Sequence, residues 1–103
     1  MPTNAEITTF LCREVLGWRI APEPEDEWLD IEGYYRVTPE FLTWVGFGLL
    51  IEALVKAKKE VVVNGNEFGA IARVGPYTNP GVDPDPKRAL MLAAARACGM
   101  EGV

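Results

Sequence analysis

The chain has 103 residues, enough for one domain with a single core and no separate substrate domain. Hydrophobic residues make up 49% and charged residues 24%, the composition of an ordinary soluble globular protein. The formal net charge of −5 argues against a general affinity for nucleic acid, because a phosphate backbone attracts clustered Lys and Arg; it favours solubility or a basic partner.

Thr3-Asn4-Ala5-Glu6 has the form of a capping box, and Ile7, Phe10, Leu11 and Val15 follow at helical spacing. A first helix is therefore predicted from Asn4 to Leu16, closed by Gly17 in a left-handed conformation. Trp18-Arg19-Ile20 reads as a short extended piece. Ala21 to Glu27 breaks regular structure, with two prolines and four carboxylates in seven residues. Trp28 to Ile31 and Tyr34 to Val37 flank Glu32-Gly33, which predicts a hairpin with a two-residue turn.

Thr38-Pro39-Glu40 and Thr43 are competing starts for a second helix, and Thr43 is preferred for its regular part. Phe47, Leu50, Ile51, Leu54 and Val55 lie on one face of it, with Lys56, Lys58 and Lys59 in the last turn, where cations suit the helix dipole. Val61-Val62-Val63-Asn64-Gly65-Asn66 predicts a strand running into an Asn-Gly turn, with Phe68 to Val74 returning as its partner. Gly75 to Asp85 reads as a loop with three prolines and two glycines. Asp85-Pro86 then caps a third helix with Ala89, Leu90, Ala93, Ala94 and Ala97 as its stripe, ended by Gly99. The order α-ββ-α-ββ-α predicts an α+β fold, in which the two hairpins join as one antiparallel sheet of about four strands covered by helices on both faces.

No segment is predicted to span a membrane. The longest uncharged run, Phe41 to Ile51, falls well short of the roughly 20 residues a bilayer requires. MPTNAEITTF lacks the basic start and long apolar stretch of a signal peptide. Cys12 and Cys98 lie in helical segments without CxxC spacing and read as small core residues rather than a disulfide. Location in the cytoplasm is the plain expectation.

Four stretches resemble the phage ABA-sandwich domain, a family of small bacteriophage and prophage proteins. Val15-Leu16-Gly17-Trp18 matches its hydrophobic-Gly-Trp ending of the first helix, and a Trp- and Tyr-bearing hairpin follows. Leu49-Leu50-Ile51-Glu52-Ala53-Leu54 is similar to the family's central helix, and Pro86-Lys87-Arg88-Ala89-Leu90-Met91-Leu92-Ala93-Ala94 to its closing helix. The likeness covers most of the chain. It implies helices on both faces of a sheet and a phage-derived protein in a bacterial cytoplasm, and it implies no chemistry. The acidic segment Glu23 to Glu27 and the Gly46/Gly48 pair have no match in the family pattern.

The sequence contains no histidine and no serine, so Ser-His and Cys-His pairs are impossible, and two cysteines alone cannot fill a Cys/His zinc site. No catalytic motif, cofactor or metal is predicted. Gly46-Phe47-Gly48 lacks the third glycine of a dinucleotide fingerprint and the Gly-Lys-Ser/Thr of a phosphate loop. Both glycines are assigned to close packing against a strand or the Trp18/Trp28 rings, with a ligand edge at the helix start as the alternative. Glu23, Glu25, Asp26 and Glu27 lack the spacing of a calcium loop and read as a solvated acidic loop. Asp30 and Glu32, placed by alternation on one strand face, leave open an enzyme working with carboxylates alone.

Two binding surfaces follow. Trp28, Tyr34 and Tyr35, beside Glu25, Asp26 and Glu27, form a protein-docking surface for a host protein or a second copy if the aromatics face outward. Tyr77, Thr78, Asn79, Lys87 and Arg88, in the loop Gly75–Arg88 and the first turn of the third helix, are the alternative: a site for a nucleotide or other small anion, opposed by Asp83 and Asp85. A non-enzymatic protein-binding or self-associating module is the preferred reading.

Overall fold

The protein is described from a computed structural model, covering residues 1–22, 27–75 and 79–103. Among these residues run α1 (Asn4–Glu14), β1 (Arg19–Ile20), β2 (Glu27–Leu29), β3 (Tyr35–Val37), α2 (Trp44–Lys56), β4 (Val61–Asn66), β5 (Gly69–Val74), β6 (Gly81–Asp83) and α3 (Pro86–Ala97). The α+β class holds. The single sheet of about four strands does not: there are two antiparallel three-stranded sheets, β1-β2-β3 and β4-β5-β6. Each predicted hairpin recruits a third strand of its own instead of pairing with the other.

The helix starts follow from local chemistry. The Thr3 hydroxyl accepts from the Glu6 amide at 3.2 Å while Glu6 Oε1 accepts from the Thr3 amide at 3.2 Å, which completes the capping box of α1. Thr43 caps α2, accepting from the Gly46 amide at 3.1 Å, and Asp85 caps α3, accepting from the Lys87 amide at 2.9 Å, with Pro86 next. Helix α1 ends two residues earlier than predicted. Gly17, at φ +71°, then reverses the chain so that the Trp18 amide donates to the Cys12 carbonyl at 2.9 Å.

The organising element is α3, not α2. Ala89 through Ala95 are all buried, so α3 is covered on every side. Ala70, Ala72 and Val74 of β5 pack on it from one side, with Ile7 and Leu11 of α1 and Leu50 and Leu54 of α2 completing the core. Strand β6 comes closest: a Cβ on Gly81 would lie 2.0 Å from the Ala89 carbonyl oxygen and 2.7 Å from the Ala93 nitrogen. Glycine on the strand and alanines one turn apart on the helix thus allow backbone-to-backbone contact. The Arg96 guanidinium donates to the Pro80 carbonyl and ties the entry of β6 to the same helix.

Among the described residues no helix covers the other face of β4-β5-β6, where Val62, Ile71 and Val82 are exposed. Cover on both faces, as expected from the sequence, is therefore not found. The second hairpin also turns later than predicted. Pairing runs Val61↔Val74 through Asn66↔Gly69, so Asn64-Gly65 lies inside β4 and Glu67-Phe68 forms the turn. The Asn66 side chain accepts from the Phe68 amide at 2.8 Å and stabilises that turn. Hydrophobic matching outweighs the Asn-Gly signal: this register sets Val61 and Val63 against Val74 and Ala72 on the face that meets α3.

Gly46 and Gly48 have different roles. A Cβ on Gly46 would lie 1.9 Å from the Glu40 carbonyl oxygen and 2.8 Å from Phe41 Cα. The segment entering α2 folds back over its first turn, fixed by the Thr43 hydroxyl donating to that carbonyl at 2.7 Å and by Phe41, which is fully buried. The neighbour is thus the helix's own approach, not a strand or the Trp18/Trp28 rings. Gly48 is exposed with no atom near its Cβ position, so the packing role assigned to it is corrected.

Candidate functional site

Tyr34 and Tyr35, both exposed, belong to the first hairpin. That hairpin closes with three residues instead of two: the Asp30 amide donates to the Tyr34 carbonyl at 3.0 Å, and Ile31-Glu32-Gly33 forms the loop with Gly33 at φ +89°. That extra residue sets the register Leu29↔Tyr35 and Trp28↔Arg36. A two-residue turn would have put Trp28 and Tyr35 on one face; the shift by one separates them.

Trp28 is accordingly buried, its indole N–H donating to the Thr38 hydroxyl at 3.1 Å, and it supports the sheet from beneath rather than forming part of a docking surface. Tyr34 and Tyr35 are 63% and 58% exposed, with Ile31 at 81% and Val37 at 74%. Pairing sets Glu27 opposite Val37, so Glu27 shares the face of Tyr35 and Val37. Glu25 and Asp26 of the proposed acidic rim lie outside the described residues.

Asp30 holds the loop together. Its Oδ1 accepts from the amides of Glu32 at 2.9 Å and Tyr34 at 3.0 Å, and its Oδ2 meets Arg36 Nε at 2.9 Å. Burial alone raises its pKa, but the amide donors and the guanidinium outweigh it and hold the carboxyl below its ordinary value. Asp30 thus stays ionised and is unsuited to donate a proton. Glu32 sits in the loop and not beside it on a strand face, so the carboxylate pair read from alternation is not formed.

At the start of α3 the cations are already neutralised. Lys87 Nζ lies 3.1 Å from Asp85 Oδ1 and 4.1 Å above the Trp44 ring, while Arg88 Nη1 meets Asp83 Oδ2 at 2.6 Å and its Nε donates to Asn4 Oδ1 at 3.0 Å. Burial raises the Asp85 pKa, and the Lys87 amide and ammonium more than reverse it. These pairs oppose capture of an added anion. Asn79 is exposed at the loop's far end, and Tyr77 and Thr78 lie outside the described residues.

A feature the sequence did not reveal is a cleft of about 550 Å³ between the end of α1, the first hairpin's loop and α2. Leu16, Trp18, Leu49 and Ala53 contribute its apolar lining. Ile31 leans over Gly17, its Cγ2 only 3.3 Å from where a Cβ would stand. Asp30, Glu32, Arg36, Glu52 and Lys56 supply the charged lining. On α2 the spacing Leu49-Ala53 marks a face adjacent to the core stripe of Leu50 and Leu54, a signal visible in the sequence only once α1 and the loop are known to stand opposite.

Comparison of the chain with known families, with curated proteins and with solved structures gives no match. Among the described residues, no helix is long and apolar enough to cross a membrane.

Proposed function

We propose that this chain is a non-catalytic binding module that engages a protein partner, or a second copy of itself, through the first hairpin. The observation that carries this reading is the exposure of Tyr35 and Val37 on one face of the first sheet, with Tyr34 and Ile31 exposed at its hairpin end. Tyrosines are among the side chains most enriched at interfaces, since they present large rigid area at low entropic cost. Glu27 on the same face, with a net charge of −5, favours a partner with basic residues around an apolar centre.

The resemblance to the phage ABA-sandwich domain supports a phage or prophage origin and action in a bacterial cytoplasm. The presence of two sheets, with one face left open, counts against the single covered platform of that family.

Sedimentation equilibrium over a concentration series, with capture from bacterial lysate alongside, tests the reading. The parent is expected to self-associate or retain a defined protein, and Tyr34→Ala/Tyr35→Ala to weaken that association by about thirtyfold, the effect of losing one interface hot spot. A parent that stays monomeric and retains nothing, or a double variant that behaves as the parent, would contradict it.

A further inference from the structure

We propose that the cleft between α1, α2 and the first hairpin is a binding site for small organic cations, molecules with an apolar body and an ammonium group. Its volume of about 550 Å³ is that of a small-ligand site, and its floor of Leu16, Trp18, Leu49 and Ala53 is apolar. The charges of the lining decide which ligand complements it. Arg36 is held by Asp30 at 2.9 Å and Lys56 by Glu52 at 3.0 Å, so both cations are neutralised. Glu32 is the third carboxylate of the lining, and among the described residues it makes no ion pair. The cleft therefore carries one uncompensated negative charge beside an apolar floor, within a chain of net charge −5. An ammonium near Glu32 with its body against Trp18 and Leu49 satisfies both features; an anion meets only cations already paired. This site adjoins the docking surface at Ile31 but does not include Tyr34, Tyr35 or Val37.

Three probes with one body separate charge from apolar burial: 4-phenylbutylamine, 4-phenylbutan-1-ol and 4-phenylbutanoate, titrated by calorimetry with the Trp18 indole N–H resonance as a local reporter. The amine is expected to bind about threefold more tightly than the alcohol, as for a partly exposed ion pair, and the carboxylate most weakly. Glu32→Gln is expected to bring the amine to the alcohol's affinity. Ala53→Trp should fill the cleft and abolish binding of both, and Ala57→Trp, at the exposed end of α2, serves if Ala53→Trp does not fold. Equal affinities for the three probes, preference for the carboxylate, no binding at millimolar concentration, or binding that survives a folded cleft-filling variant would each overturn the proposal. So would much tighter binding of a short basic-apolar peptide at the same residues, which would make the cleft a peptide groove. Amine binding is expected to be unchanged in Tyr35→Ala, since Tyr35 does not line the cleft, so failure here is distinguishable from failure of the docking surface.

Discussion

Gly46→Ala is expected to destabilise the protein by about 3 kcal/mol, the upper end of the range for overpacking. For a domain of this size that lowers Tm by roughly 12–24 °C. The added methyl would meet the Glu40 carbonyl oxygen at 1.9 Å, and neither side of the contact can yield cheaply. Moving the carbonyl breaks its bonds from the Thr43 amide, 3.1 Å, and hydroxyl, 2.7 Å, and pulls Phe41 from its buried position. Moving α2 instead disturbs Leu50 and Leu54, both buried against α3. Gly48→Ala provides the opposite expectation. Its Cβ position is open, so the substitution only improves helix propensity, a gain of up to about 1 kcal/mol. Urea unfolding of the two variants beside the parent measures both signs. Equal effects would mean that the Glu40–Phe41 segment does not lie over the helix.

Gly81→Ala is expected to cost a similar amount, about 3 kcal/mol, for a different reason. Here the obstruction is the backbone of α3, at 2.0 Å from the Ala89 oxygen and 2.7 Å from the Ala93 nitrogen. Helix α3 is buried on all sides and cannot retreat, so β6 must lift away from it and strain its pairing Ala72↔Gly81 and Ala70↔Asp83 with β5. Val82 next to it points to solvent at 61% exposure, and Val82→Thr should stay within about 0.5 kcal/mol of the parent. The contrast between adjacent positions, read by the same denaturant titration, locates the contact on one face of the strand. A mild Gly81→Ala would show that β6 does not rest on the helix backbone.

The helices were legible because their start signals are local: Thr3 with Glu6, Thr43, and Asp85 with Pro86 all cap as their chemistry requires. Sheet organisation was not, because pairing is decided between distant segments. Pro80 and Pro84 flank Gly81–Asp83 closely enough to disguise a three-residue strand as loop, and without β6 the sequence offers the second hairpin no partner but the first. The Asn-Gly dipeptide misplaced the second turn because the match of Val61 and Val63 to Val74 and Ala72 is the stronger constraint.

The candidate site was legible in part for similar reasons. Tyr34 and Tyr35 are exposed, whereas the burial of Trp28 depends on one extra residue in the hairpin loop. Lys87 and Arg88 stood out correctly as cations at an unusual helix end, and their neutralisation by Asp85 and Asp83 was foreshadowed by sequence proximity. The cleft was beyond reach. It is formed by Leu16 and Trp18, the loop at Ile31 and Glu32, and one face of α2, segments brought together only by the finished fold.

Burial and exposure are thus divided between the two sheets. Helix α3 with β4-β5-β6 holds most of the buried side chains among the described residues, while the first sheet buries Trp28 and exposes Tyr35 and Val37. Amide hydrogen exchange resolved along the chain tests this division most directly. The amides of α3 and β5 are expected to exchange slowest, at the rate of global unfolding, and those of β3 by faster local opening. Protection of β3 equal to that of β5 in the isolated chain would contradict the account, because the first sheet would then belong to the core and not to a surface held out for a partner.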